Sequence, residues 1–506
     1  MVKIGKLKEI IVHTENNLYN SCIQCMHMIL DREEQGMGRR IKDEMPEFLD
    51  LKEAMELSRE QNRENHRRFI NPELVNLMGL LNFDKCFVRA EGTSIWDTEE
   101  NEYLDFLGGY GALNLGHNHP GIIEAVEAVK ELPNLLQAAL NPLAGALARN
   151  LAIFTPGELQ YSFFGNSGAE AVEGALKLAR ASTGRTKIVS CEGSFHGKSF
   201  GALSVTGREK YRKPFSPLLP GIEFVPYGDA VALEKALAQK DVAAFIVEPI
   251  QGEGGIIVPP EGYLRKVRDI CTDYNTLLIV DEIQTGFGRT GKLFACEQEG
   301  IVPDILCLSK SFGGGVMPLA AYTTTEKIWK QAYGSVEKAT LHTSTFGGNS
   351  RAAAAGIATL EILYRDDLSR QAAEKGEYLL GRLQQLQGRY PFLKEVRGRG
   401  LMIGLEFAQP EKGILNRLTG GAVEKIAGEY LGAMIAGELL NKHRIVTAYT
   451  LNNPNVIRLE PPLTVSYEQL DKLLMALDGI CAKNKGFGDM VIASSKTIFS
   501  SFVNKS

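Results

Sequence analysis

The chain has 506 residues, 44% of them hydrophobic, a net charge of −5 and eight cysteines scattered along its length. That length buries a large core and suits two or more domains, and the acidic, mixed charge excludes a nucleic-acid scaffold. The opening residues MVKIGKLKEIIVHTENN hold no apolar core, no later run is long enough to cross a bilayer, and scattered cysteines suit a reducing compartment, so the expectation is a cytoplasmic globular protein.

Residues 1–75 are polar, charged and helical in pattern, and read as an amphipathic extension with no chemistry of its own. Cys22 and Cys25 form a lone C-x-x-C with no second pair, which reads as apolar helix residues rather than a metal or redox site. Residues 87–92 and 94–97 alternate as strands around a turn, and 102–106 continues them. The glycine-rich LGGYGALNLGHNHP (107–120) follows, with Tyr110 as a candidate substrate wall. His117 and His119 lack a third ligand and read as turn residues.

A strand at 161–164 runs into GNSGAEAVEGALKLARAS (165–182), where Ser167 and Glu170 have capping-box spacing before an apolar helical repeat. Strand, small-residue turn and helix start together make a candidate anion site, since free N–H groups and the helix dipole favour a phosphate. The strand 187–190 leads to CEGSFHGKSFGALS, where Phe195 stacks on a planar ring or packs as core. The run 243–247 ends at Glu248, with Glu253 five residues on, as acids on a crevice edge or as structural carboxylates.

Two apolar runs close the large-domain pattern: 277–280 ends at Asp281, and 305–309 ends at Lys310 before three glycines. Such runs read as buried parallel strands, whose carboxyl ends face one crevice. The pair is either a structural ion pair or the site of pyridoxal phosphate (PLP) chemistry. In the second case a desolvated lysine forms a Schiff base, and an aspartate keeps the pyridine nitrogen protonated. LHTSTFGGNS (341–350) offers hydroxyls to a phosphate. From about residue 360 the pattern turns to helices and short strands (401–407 and 455–459), a smaller α+β domain. Within it, Arg458 in VIRLEPPL can bind a carboxylate bidentately. The expected divisions are a helical extension (1–75), a segment joining the smaller domain (76–115), a large domain (116–359), the smaller domain (360–485) and a partly disordered tail (486–506).

The ordered blocks YSFFGNSGAEAVEGALKLA, GSFHGKSFGALS, RKPFSPLLPG, EPIQGEGGIIVPPEGYL, DEIQTGFGRTGKLFACE, PDILCLSK, GGGVMP, TSTFGGN and VIRLEPPLTV resemble the class III (ω-amino acid type) aminotransferases of PLP fold type I, over about residues 85–482. The resemblance implies an α/β fold: a large domain with a mainly parallel seven-stranded sheet flanked by helices, and a smaller α+β domain. It implies PLP as cofactor, with Lys310 as the Schiff-base lysine and proton shuttle. Asp281 would pair with the ring nitrogen and Gln284 with the phenolic oxygen. Phe195 would stack on the ring with His196 beside it. Ser167, Gly168 and Ala169 would face the phosphate, Glu248 would belong to the cofactor site, and Thr345 would come from the neighbouring subunit of a homodimer. Arg458 would bind the α-carboxylate of glutamate or 2-oxoglutarate, and Glu253 would pair with Arg458 when the substrate lacks one.

Several blocks are most similar to the branch acting on putrescine, which implies a terminal amine such as a diamine as donor. Ornithine, acetylornithine, 4-aminobutyrate, or an aldehyde aminated in the reverse direction stand as alternatives, and a non-catalytic binding subunit stands against Lys310, Asp281 and Gln284. Relatives often carry threonine where Ala169 stands, which removes a hydroxyl contact, and the segment 135–142 departs from the polyamine enzymes.

Overall fold

The computed structural model describes residues 48–80, 82–135, 138–408 and 422–484. Cys22 and Cys25, Leu136 and Gln137 of the 135–142 segment, and the tail lie outside the described residues. Met1–Asn65 and His66–Ser506 are two compact units. In the first, the helix Leu51–Met55 opens with a reciprocal cap: Glu53 N–H donates to Asp50 Oδ1 (2.8 Å) and Asp50 N–H to Glu53 Oε2 (2.9 Å). No described residue of this unit is buried.

In the second unit the helix Pro72–Leu80 precedes an antiparallel meander of β1 (Phe87–Glu91), β2 (Ser94–Asp97) and β3 (Glu102–Asp105). Its main sheet contains β4 (Leu159–Gly165), β5 (Lys187–Cys191), β6 (Ile222–Val225), β7 (Val242–Val247), β8 (Leu277–Asp281), β9 (Ile305–Leu308) and β10 (Ala320–Thr325). The order is β4-β10-β9-β8-β7-β5-β6, and β10 alone runs antiparallel to its neighbours. The expected mainly parallel seven-stranded sheet is therefore present.

The strands are continuously apolar because helices cover both faces. Ile246, Ile279 and Cys307 share one core with Val172, Leu176 and Ala179 of the helix Gly168–Thr183. Val247, Leu278, Val280 and Leu306 face a second, larger core. All six residues of β7 are buried, and each buried Val or Ile stabilises the fold by roughly 1.5–3 kcal/mol.

The remaining strands are β11 (Leu393–Arg399), β12 (Met402–Phe407), β13 (Ile445–Val446), β14 (Ala448–Tyr449) and β15 (Val456–Leu459). β11, β12, β15 and β14 form an antiparallel sheet, and β13 joins β3 in parallel, so the meander is bound to this later part of the chain. The long helices Leu368–Arg389 and Tyr467–Lys483 belong to the same region.

Arg289 ties these layers together. It is wholly buried, donates through Nη1 to the carbonyls of Leu401 (3.0 Å) and Pro461, and through Nη2 to Asn114 Oδ1 (2.5 Å). Burial lowers its pKa to about 10, with Glu460 and Asp105 opposing the shift. Arg289→Met leaves these three acceptors without their donor and is expected to lower unfolding stability by roughly 2–4 kcal/mol. Urea unfolding followed by intrinsic fluorescence measures this, and an unchanged midpoint contradicts it.

Candidate active site

The strand order of the main sheet reverses between β5 and β7, the place where open α/β sheets bind ligands. The turn after β5 carries Phe195 and His196, β7 is followed by Glu248, β8 ends on Asp281, and β9 is followed by Ser309 and Lys310. Together with the first turn of the helix Gly168–Thr183 they enclose a cavity of about 200 Å³. Gly168, Ala169, Phe195, His196, Glu248, Glu253, Asp281, Gln284 and Lys310 all line it. Nine of the thirteen residues singled out from the sequence thus meet at one place.

The Asp281 carboxylate is oriented at both oxygens. Oδ2 lies 2.7 Å from His196 Nδ1, and Oδ1 accepts the Ile283 N–H at 3.0 Å. His196 Nε2 is buried without a partner among the described residues. Glu248 holds two loops: Oε1 accepts Phe195 N–H (2.9 Å) and Oε2 accepts Gly252 N–H (3.1 Å). Burial raises its pKa to about 7, with Asp281 adding to the rise and His196 opposing it.

Lys310 sits at φ +51°, a conformation that costs a non-glycine residue free energy and clusters at functional sites. Burial lowers the pKa of its ammonium, and Arg458 adds to this, while Glu460, Glu253 and Asp281 oppose it. The result is a lysine that gives up its proton more readily than an exposed one.

Arg458, on β15, is wholly buried. Its Nη2 lies 2.7 Å from Glu253 Oε1, its Nη1 3.3 Å from Glu460 Oε2, and its guanidinium 5.1 Å from the Tyr110 ring centroid. Burial alone pushes its pKa down, but Glu253 and Glu460 outweigh this and hold it above the ordinary value. The other oxygen of Glu253 accepts Leu451 N–H at 2.9 Å. Tyr110 is 45% exposed, in a left-handed conformation between two glycines.

The capping expectation needs adjustment. Only half of the capping box at Ser167 forms: Ser167 Oγ accepts Glu170 N–H (3.3 Å), but Glu170 turns to Asn166 N–H and Nδ2 because that turn presents them first. Gln284 lines the cavity, and its Nε2 donates to Tyr110 O (3.1 Å) and Glu460 Oε2 (3.3 Å). Ser167 and Thr345 are exposed and do not line the cavity of their own chain. His117 pairs with Asp105 (2.9 Å), and His119 accepts Gly121 N–H (3.2 Å) as a helix cap, so both serve the turn.

Sequence reasoning missed Glu460, which no water reaches and which touches both Arg458 and Gln284. The signal was an acid two residues beyond Arg458 in the otherwise apolar VIRLEPPL.

The cavity suits PLP on its own terms. Phosphate has the first-turn N–H groups of Gly168 and Ala169, which lack intrahelical acceptors. The backbone is drawn in closely there: a Cβ on Gly197 would lie 2.9 Å from that of Ala169. An aldehyde has the depressed Lys310 amine, and a protonated ring nitrogen has the oriented Asp281.

The class-III aminotransferase family model matches residues 79–481. Among curated proteins, a putrescine aminotransferase from Pectobacterium atrosepticum is 47% identical over 409 residues, covering 79% of this chain and 82% of the relative. The aminotransferase PigE of a Serratia species is 41% identical over 466 residues, covering 86% of this chain but only 55% of the relative, so the chain spans about half that protein's length. Among solved structures, ornithine aminotransferase from Toxoplasma gondii has a TM-score of 0.74 at 30% identity, covering 88% of this chain and 98% of that one. A PLP-bound amine transaminase from an uncultivated Pseudomonas species has a TM-score of 0.70 at 30% identity, covering 79% and 94%. With a family match across four-fifths of its length and relatives of this identity, the chain belongs to the class III, PLP-dependent aminotransferases.

Proposed function

We propose that this protein is an aminotransferase that moves an amino group from a terminal primary amine, best represented by putrescine or a similar diamine, to 2-oxoglutarate, giving an aminoaldehyde and glutamate. The observation that carries this reading is the half-buried, pKa-depressed Lys310 sharing one cavity wall with the oriented Asp281 and with Glu253, which pairs with Arg458 behind it. The putrescine aminotransferase of Pectobacterium, at 47% identity, supports the donor. The ornithine aminotransferases among the structural neighbours make ornithine the competing donor.

Gly168 and Ala169 would hold the cofactor phosphate, Phe195 and His196 the ring, Asp281 the ring nitrogen, and Lys310 the aldehyde carbon. When bound, PLP supplies an aldehyde that accepts the amino group and a ring that takes up an electron pair. Asp281, held by His196 and Ile283 N–H, keeps a proton on the ring nitrogen. Lys310, once the donor's amine has taken its place on the aldehyde carbon, would take the proton from the amine-bearing carbon and deliver it to that former aldehyde carbon, on the other side of the nitrogen. Glu248 holds the loop of Phe195 in place through its N–H. Gln284 reaches a phenolic oxygen by releasing Tyr110 O or Glu460.

Arg458 would receive the α-carboxylate of glutamate or 2-oxoglutarate once Glu253 leaves it, and Glu253 would restore the pair for a donor without one. An unpaired buried guanidinium is costly, so this exchange lets one site serve both half-reactions. A second copy of the chain would complete the phosphate site with Thr345 of the partner subunit. In support, the Thr345 loop presents Leu341 and Phe346 at 59% and 57% exposure.

Glutamate formation from putrescine and 2-oxoglutarate by the PLP-loaded protein tests the function. Lys310→Ala is expected to cut it by at least about a thousandfold, and retained turnover overturns the reading. Turnover of ornithine but not putrescine keeps the chemistry and replaces the donor. Glu253→Gln is expected to reduce kcat/KM for putrescine about tenfold more than for glutamate, and equal factors would sink the exchange. In the cofactor-free protein, folding raises the pKa of Glu248 from 4.5 to about 7. The folded state therefore binds that proton more tightly, and stability falls as pH rises through this window. Glu248→Gln should gain on the wild type by up to roughly 3 kcal/mol between pH 4.5 and 7.5, read from unfolding midpoints across pH; parallel curves contradict it.

A further inference from the structure

The charge around Arg458 does not balance. One guanidinium faces two carboxylates, Glu253 at 2.7 Å and Glu460 at 3.3 Å, which leaves this group of three side chains at one net negative charge. The two acids are held differently. Glu253 lines the cavity in the loop after β7, its Oε2 accepting Leu451 N–H. Glu460 is fully buried and is not part of the cavity wall.

Its backbone is clamped as well. Glu460 N–H donates to Phe106 O at 2.8 Å, and a Cβ on Gly108 would lie 2.3 Å from the Glu460 carbonyl oxygen. The next carbonyl, that of Pro461, is held by Arg289. When a substrate carboxylate displaces Glu253, Glu460 stays. Glu460 Oε2 is shared between Arg458 and Gln284, and Oε1 is buried without a partner among the described residues. A buried oxygen without a donor is uncommon and marks an acceptor still in hand.

We propose that Glu460 is a specificity-determining acid: a fixed second counter-charge on Arg458 that weakens the hold on substrate carboxylates and draws in donors whose only charges are ammonium groups. This rests on the aminotransferase reading above and says which donors that site prefers. With Glu460 ionised, a diamine meets an Arg458 cluster of net negative charge, and a glutamate carboxylate meets a guanidinium already half neutralised. With a neutral residue at 460, the three-group charge is zero while Glu253 is in place and positive once it leaves. Coulomb attraction in such a low-dielectric site is strong enough for one charge to reorder two substrates.

The test compares PLP-loaded wild type, Glu460→Gln and Glu460→Asp with putrescine and with glutamate as single amino donors. Glu460→Gln should raise KM for putrescine and lower KM for glutamate with smaller changes in kcat, shifting the ratio of their kcat/KM values toward glutamate by about tenfold or more. Glu460→Asp draws the charge back from Arg458 and should shift the ratio the same way by less. Melting curves identify which variants are folded. If Glu460→Gln does not fold, the Asp variant alone decides. A folded variant whose donor ratio stays within about twofold of wild type, or whose loss lies in kcat equally for both donors, overturns the proposal. Wild type that turns over neither donor overturns the function itself, whereas wild type that turns over both with an unmoved variant ratio overturns only the role of Glu460.

Discussion

A fully buried arginine with no carboxylate within hydrogen-bonding reach among the described residues is the constraint on which the rest of this structure leans. Arg289 spends its guanidinium on two main-chain carbonyls and one side-chain amide, drawn from the segment after β3, the turn before β12 and the proline pair after β15. Its Nη1 and Nη2 donors are met, while Nε is buried without a partner among the described residues, so the three acceptors it does have carry the burial of the charge and their positions are tied to its own. The proline pair directly follows Glu460 and lies three residues from Arg458. The geometry of the substrate end of the site is thereby referred to the main sheet, which supplies the cofactor end.

The site itself is a problem in placing charge where water is scarce. Lysine, arginine, histidine and four acids occupy one small region, and burial and neighbouring charge displace the proton affinities of Glu248, Lys310 and Arg458. Backbone N–H groups do much of the holding: Ile283 on Asp281, Phe195 and Gly252 on Glu248, Leu451 on Glu253. Those donors are fixed by the strands that precede them, so the electrostatics of the pocket follow from the sheet.

Much of this was legible in the sequence because parallel strands announce themselves. The apolar runs ending in Asp281, Glu248 and Lys310 lie side by side as β8, β7 and β9, and their carboxyl ends meet as that topology requires. What stayed hidden has a common physical cause: partner choice in three dimensions. Nothing local says that Glu170 will prefer Asn166 to Ser167, or that Gln284 will give its protons to Tyr110 and Glu460. Nothing near Arg289 in the chain marks its role, since its acceptors lie more than a hundred residues away in either direction. Glu460 hid in an apolar run whose arginine drew the attention.

Gly252 sets a limit of another kind. A Cβ there would lie 1.6 Å from Gln284 Oε1, so the amide rests directly against bare backbone. Any side chain at 252 would evict Gln284, and with it the link to Glu460 and Tyr110. A change at residue 252 therefore acts through Gln284, while a change at its neighbour Glu253, which lines the cavity, acts directly on the pair with Arg458. A lineage adapting this pocket to a new amine must travel through position 253, or through 110 and 460, and an engineer's library that randomises the whole loop would spend most of its members on proteins that have lost their glutamine contact.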